Sequence, residues 1–151
     1  MDRFELFATS IAHIHRCIQK IKANEMASIG LKGTHTMCLY ALGKAPEGLS
    51  ASQLCQKCGE DKAAISRTIT ELTQLEYICP ASVTGKRAYR TKLMLTQKGQ
   101  EALAFVEQRV ENALSGVGGT LDSQARQTLY ASLQEISQNL TDYLKKMEER
   151  I

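Results

Sequence analysis

The chain has 151 residues, 43% of them hydrophobic and 23% charged, which is enough for one domain with a packed core and excludes a disordered chain. The first ten residues, MDRFELFATS, mix acids with apolar side chains, so neither a secretory leader nor a membrane span is expected there, and the expected compartment is the cytoplasm. Five cysteines, an odd number, are dispersed at 17, 38, 55, 58 and 79, the pattern of reduced thiols and not of a disulfide framework.

The first predicted element is a helix in which Phe4, Phe7, Ile11, Ile14, Ile18 and Ile21 recur at alternating steps of three and four, a heptad seam. Two glycines in EMASIGLKGT interrupt it. A short second helix follows over about 34–42, with Met37, Leu39 and Leu42 available to a core. GKAPEGLS then reads as a loop. Ser50 with Gln53 forms a capping box, in which each side chain satisfies the other residue's free amide, so a third helix starts at Ala51. Gly59 stands where a left-handed helix end wants glycine, and Asp61 caps the next start.

The fourth helix, over 62–75, places Ile65, Ile69, Leu72 and Leu75 on one stripe and Lys62, Ala63, Ser66, Arg67 and Thr70 on the other side. Small residues there allow close approach to another surface. Serine and threonine bond phosphates or base edges, and arginine forks onto guanine. Taken alone, such a face is an ordinary solvated one. The capped helix before it and the three-residue turn between them make a helix-turn-helix.

After position 75 the pattern becomes extended. YICPASV and YRTKLMLT flank TGKR, which predicts a two-stranded hairpin with a basic tip, a small appendage whose Pro80 belongs on an edge strand. Thr96 caps a helix over about 97–115, with Leu103, Val106, Val110 and Leu114 on one face. After GVGG, Asp122 opens a last helix with a second seam of Leu129, Leu133, Ile136, Leu140, Tyr143 and Met147. Between Lys62 and Lys98 lie seven basic residues against two acids, Glu71 and Glu76, whereas the whole chain carries only +3. A basic middle in a near-neutral chain is what a polyanion-binding surface needs.

The segment LSASQLCQKCGEDKAAISRTITELTQLEYI resembles the helix-turn-helix core of the MarR family (multiple antibiotic resistance regulators), and KRAYRTKLMLTQKG resembles its wing and the start of the next helix. The most specific pieces are DKAAISR and LTQKG, and the resemblance extends over the flanking seams. It implies a mainly α fold with a small β-hairpin wing, a winged helix-turn-helix over 31–96 with dimerisation helices over 1–30 and 97–151. It further implies a homodimeric regulator of transcription, a repressor that binds a pseudo-palindromic double-stranded DNA operator and is relieved by a small molecule or an oxidant. Carried over by position, Lys62, Ala63, Ser66, Arg67 and Thr70 face DNA, and Lys86, Arg87 and Arg90 lie at or beside the wing tip. The family's wing commonly has an aspartate shortly before its arginine; TGKRAYR has none.

The family's signal site lies where the dimerisation helices meet the winged region, and His13, Cys17, His35 and Tyr40 are the polar or reactive groups that can reach it. Some relatives sense peroxide through a cysteine in the first helix, where Cys17 lies. His13 with Cys17, and His35 with Cys38, are spaced to share helix faces, which leaves a zinc-responsive regulator as an alternative; the histidines that zinc-sensing relatives carry on the helix after the wing have no match over 97–115. No resident metal or cofactor is expected. The CQKC motif lacks a second ligand pair and falls with Leu54 on an inward stripe, which favours core packing. An enzyme is not expected, since nucleophile elbow, phosphate-binding glycine loop and HExxH motifs are missing. A helical interaction module without DNA binding explains the seams but not the basic hairpin.

Overall fold

The computed structural model describes residues 2–81, 91–117 and 119–149. Six helices, α1 (Arg3–Ala27), α2 (His35–Gly43), α3 (Ala51–Cys58), α4 (Lys62–Gln74), α5 (Gln97–Val117) and α6 (Ser123–Glu148), accompany one antiparallel pair, β1 (Ile78–Pro80) and β2 (Leu93–Leu95), lying between α4 and α5 in the chain. This is a mainly α, winged helix-turn-helix architecture. The chain divides into two compact units, residues 1–110 and 111–151, with the boundary inside α5.

The starts of α3, α4, α5 and α6 follow the predicted caps. Ser50 and Gln53 exchange hydrogen bonds with each other's backbone amides, and the Oδ1 atoms of Asp61 and Asp122 accept the amides of Ala64 and Ala125, each at 2.7 Å. Thr96 Oγ1 accepts the amide of Gly99 at 3.0 Å. Gly59, at φ 67°, ends α3 in the left-handed region, where an L side chain is strained.

The core of the first unit gathers Leu39 and Leu42 from α2, Leu54 from α3, Ile65 and Leu72 from α4, Ile78 from β1, Leu93 from β2 and Val106 from α5. Two expected core positions face solvent instead: Met37 is on the outer side of α2, and Leu75 follows the last residue of α4, where the chain has already left the helical stripe. The inner face of α4 is completed by buried Thr68.

The hairpin is more than an appendage, because Ile78 and Leu93 at its base are core residues. Its register pairs Ile78 with Leu95 and Pro80 with Leu93, while Leu93 also exchanges backbone hydrogen bonds with Leu49 on its other side. The strand carrying Pro80 is therefore the outer one, as a residue without an amide hydrogen requires.

Of the apolar residues of α1, Met26 alone is buried, and the seam from Phe4 to Ile21 is exposed. Glu25 near the end of α1 pairs with Arg109 of α5 at 3.3 Å. In the second unit every seam residue of α6 from Leu129 to Met147 is likewise exposed.

Candidate nucleic-acid interface

The helix-turn-helix is built by α3, the three-residue turn Gly59–Asp61, and α4. Leu54 on α3 and Ile65 and Leu72 on α4 anchor the two helices in one core, which decides which side of α4 is left outside. That outside face carries Lys62, Ala63, Ser66, Arg67 and Thr70, all exposed. Asp61 caps the helix at the end where Lys62 stands. The hydroxyl of Thr70 donates to the Ser66 carbonyl at 2.9 Å, so it must rotate before it can donate to a phosphate. Among the described residues Arg67 has no carboxylate partner, leaving its guanidinium available as a forked donor.

The far end of α4 is held by the start of α5. Lys98 Nζ donates to the Leu75 carbonyl at 2.8 Å and lies over the Tyr77 ring at 4.5 Å, while Thr96 Oγ1 donates to the Glu76 carbonyl at 2.7 Å. Lys98, counted with the basic stretch in the sequence, is thus employed inside the fold. Lys86, Arg87 and Arg90, the predicted wing contacts, lie outside the described residues.

The four residues predicted for a sensing cleft have different surroundings. His13 and Cys17 are exposed on α1, with Cys17 Sγ 3.6 Å from His13 Nε2. His35 is buried at the start of α2, where its Nδ1 accepts the Lys32 amide at 3.2 Å and its Nε2 lies 2.7 Å from Glu71 Oε2. Tyr40 is half-buried under the Lys44 ammonium, 4.3 Å above its ring. No group of three or more metal-ligating side chains converges among the described residues. Cys38 is buried, and Cys55 and Cys58 pack against the core as half-buried side chains.

Two features escaped the sequence reading. Glu71, on α4 itself, is bound by both His35 and Lys32, and these hydrogen bonds, that of Lys32 foremost, hold its carboxyl below the ordinary carboxylate range. A cavity of about 310 Å³ opens where the end of α2 meets Pro46, β2 and the start of α5, lined by Leu42, Met94, Leu95 and Leu103 with Gln100 as a polar group. Its walls come from residues over fifty positions apart, so no local pattern announces it.

The MarR family model matches residues 29–88, spanning α2, α3, α4 and β1. Solved structures extend the likeness over nearly the whole chain. A MarR-family regulator from Listeria monocytogenes, complexed with a 26-mer DNA, is 20% identical and superposes with a TM-score of 0.82, covering 92% of this chain and 93% of that one. The Staphylococcus aureus MarR in complex with salicylate and kanamycin is 17% identical, with a TM-score of 0.77 and coverage of 91% and 92%. A MarR-family regulator from Silicibacter pomeroyi DSS reaches 24% identity at a TM-score of 0.73, covering 93% and 91%. No curated protein matches the sequence significantly. The chain therefore resembles the MarR family by sequence across its helix-turn-helix and has the fold of MarR-family transcriptional regulators.

Proposed function

We propose that the protein is a homodimeric, sequence-specific regulator of transcription that binds a pseudo-palindromic operator in double-stranded DNA and represses until an effector releases it. The observation that carries this reading is the outer face of α4, where small side chains, hydroxyls and Arg67, which has no carboxylate partner among the described residues, stand together on a helix capped at its start and anchored at its end. A helix so presented enters a major groove, and Arg67 has the fork geometry for guanine. The DNA complex of the Listeria relative supports the same use of the fold. Lys86, Arg87 and Arg90 would add groove or phosphate contacts from the wing. The seams of α1 and α6 would supply the dimer, with residues 1–30 and 97–151 as dimerisation helices and 31–96 as the DNA-binding part. Such a protein works in the cytoplasm and is no enzyme. Among the described residues no helix is long and apolar enough to cross a membrane.

The test is operator binding. Arg67→Ala should weaken it by about 1–3 kcal/mol and blur its sequence preference, whereas loss of Arg87 or Arg90 should weaken all sequences alike. Affinity should fall by a factor of about 10³ or more between ~50 and ~200 mM salt if six or more phosphates are neutralised. An Arg67→Ala protein that binds and discriminates like the wild type would refute the assignment of α4.

The effector would be a small molecule or an oxidant. The cavity beside α2, at about 310 Å³, lies at the lower end of the ordinary range for small-molecule sites and is mostly apolar with a polar Gln100, which suits a compact, largely apolar ligand. The Staphylococcus relative was solved with salicylate and kanamycin, which agrees with small-molecule binding on this fold. A signal at such a place acts by favouring one spacing of the two α4 helices over another. The oxidant reading rests on exposed Cys17 beside His13.

A further inference from the structure

Glu71 is one of only two acids between Lys62 and Lys98, and it stands four residues after Arg67 on α4. At that spacing two helical side chains are neighbours, and an acid and an arginine there form an ion pair. In the structure they do not. Glu71 Oε1 is 2.5 Å from Lys32 Nζ, and Oε2 is 2.7 Å from His35 Nε2. Because His35 Nδ1 accepts the Lys32 backbone amide, the ring proton belongs on Nε2, from which it is donated to the carboxylate. The imidazole is 1% exposed and its ring orientation is set from both nitrogens. Both carboxylate oxygens are therefore turned toward the entrance to α2 and away from the outer face of α4.

We propose that His35 and Lys32 act as a clamp that sequesters the Glu71 carboxylate and so keeps Arg67 free for DNA. This rests on the reading of α4 as the DNA-contacting helix. His35 is a positioning residue that touches no nucleic acid. With the clamp open, the Glu71 side chain swings along α4 to pair with Arg67 and places a negative charge beside the phosphates. With it closed, the same glutamate ties α4 to the start of α2, so one acidic residue is tolerated at an otherwise basic surface.

The experiment uses the full-length protein and a duplex that the wild type enriches from a random-sequence pool, with affinities read by fluorescence anisotropy at one fixed salt concentration. His35→Ala should weaken binding about two- to fivefold, the factor by which a surface ion pair of ordinary strength withdraws a cation. Glu71→Gln should bind at least as tightly as the wild type. In the Glu71→Gln background His35→Ala should cost nothing further, because no carboxylate remains to compete; His35→Gln, which retains a donor, should bind closer to the wild type than His35→Ala. Circular dichroism melting checks folding, and if His35→Ala does not fold, Lys32→Ala, on a side chain 66% exposed, takes its place in the same cycle. An equal loss from His35→Ala, or from its Lys32→Ala replacement, in both backgrounds would show an effect on shape alone and overturn the clamp. Unchanged binding of these variants overturns it too, with the DNA-binding reading intact. A wild type that enriches no duplex overturns both.

Discussion

The thiols have different chemical prospects because the fold gives each a different environment. Cys38 is fully buried, and burial first, then the neighbouring Cys58, pushes its thiol up to about 12, so it holds almost no thiolate at neutral pH. Cys58 is raised in the same direction, by burial and then by Glu60 and Cys55 against an opposing Lys22. Cys17 and Cys79 are exposed. A thiol reagent at neutral pH should therefore label Cys17 and Cys79 at once and Cys38 only as the protein unfolds, which mass spectrometry of time points can follow. Rapid native labelling of Cys38 would contradict its burial. Peroxide titration of operator binding extends the test to the oxidant reading: loss of binding in the wild type but not in Cys17→Ser assigns the switch to Cys17, and a like response in both removes it.

At the scale of elements, α3 and α4 depend on local hydrogen bonds at their starts, and α4 depends on α5 at its end. Ser50→Ala removes one half of the capping box and should cost about 1 kcal/mol, read by urea denaturation. Gly99→Ala should cost more than that cap. A Cβ on Gly99 would stand 2.1 Å from the Tyr77 carbonyl oxygen, so backbone must move, and the backbone in question is the turn that fixes the end of α4. The caps were legible in the sequence because each is a contact over three residues. The anchoring of α4 by Lys98 was not, because it joins residues 23 positions apart and Lys98 reads simply as one more cation in a basic stretch.

For the whole molecule the decisive feature is what remains uncovered. Phe4, Phe7, Ile11, Ile14, Ile18 and Ile21 on α1, and Leu129, Leu133, Ile136, Leu140, Tyr143 and Met147 on α6, are each at least 36% exposed in the single chain. Continuous exposed apolar seams of this kind mark interaction surfaces, and in the proposed dimer a second copy covers them. Leu133→Asp or Leu140→Asp would place an unpaired carboxylate in the proposed dimer interface, at a cost of several kcal/mol. Sedimentation should then show monomer or unfolded chain, while a stable dimer in both variants would move the interface elsewhere.

Periodicity, caps and turn residues, all interactions within about four positions, sufficed to place the six helices, the hairpin and the outer face of α4, and the quoted motifs sufficed for the family resemblance. That face was legible because Ile65 and Leu72 must turn inward, which leaves Lys62, Ser66 and Arg67 no other direction. The two misplaced core residues, Met37 and Leu75, stand on short or ending helices, where a stripe of three or four positions constrains the face poorly. Tertiary structure alone decided the fate of the polar groups: His35, a candidate for the sensing cleft along with His13 and Cys17, is buried against Glu71, 36 residues away, and the apolar cavity beside α2 is assembled from segments distant in the chain. A buried polar side chain must find a hydrogen-bond partner, and which partner it finds depends on what the packed core brings within about 3 Å, a distance that no spacing along the sequence encodes.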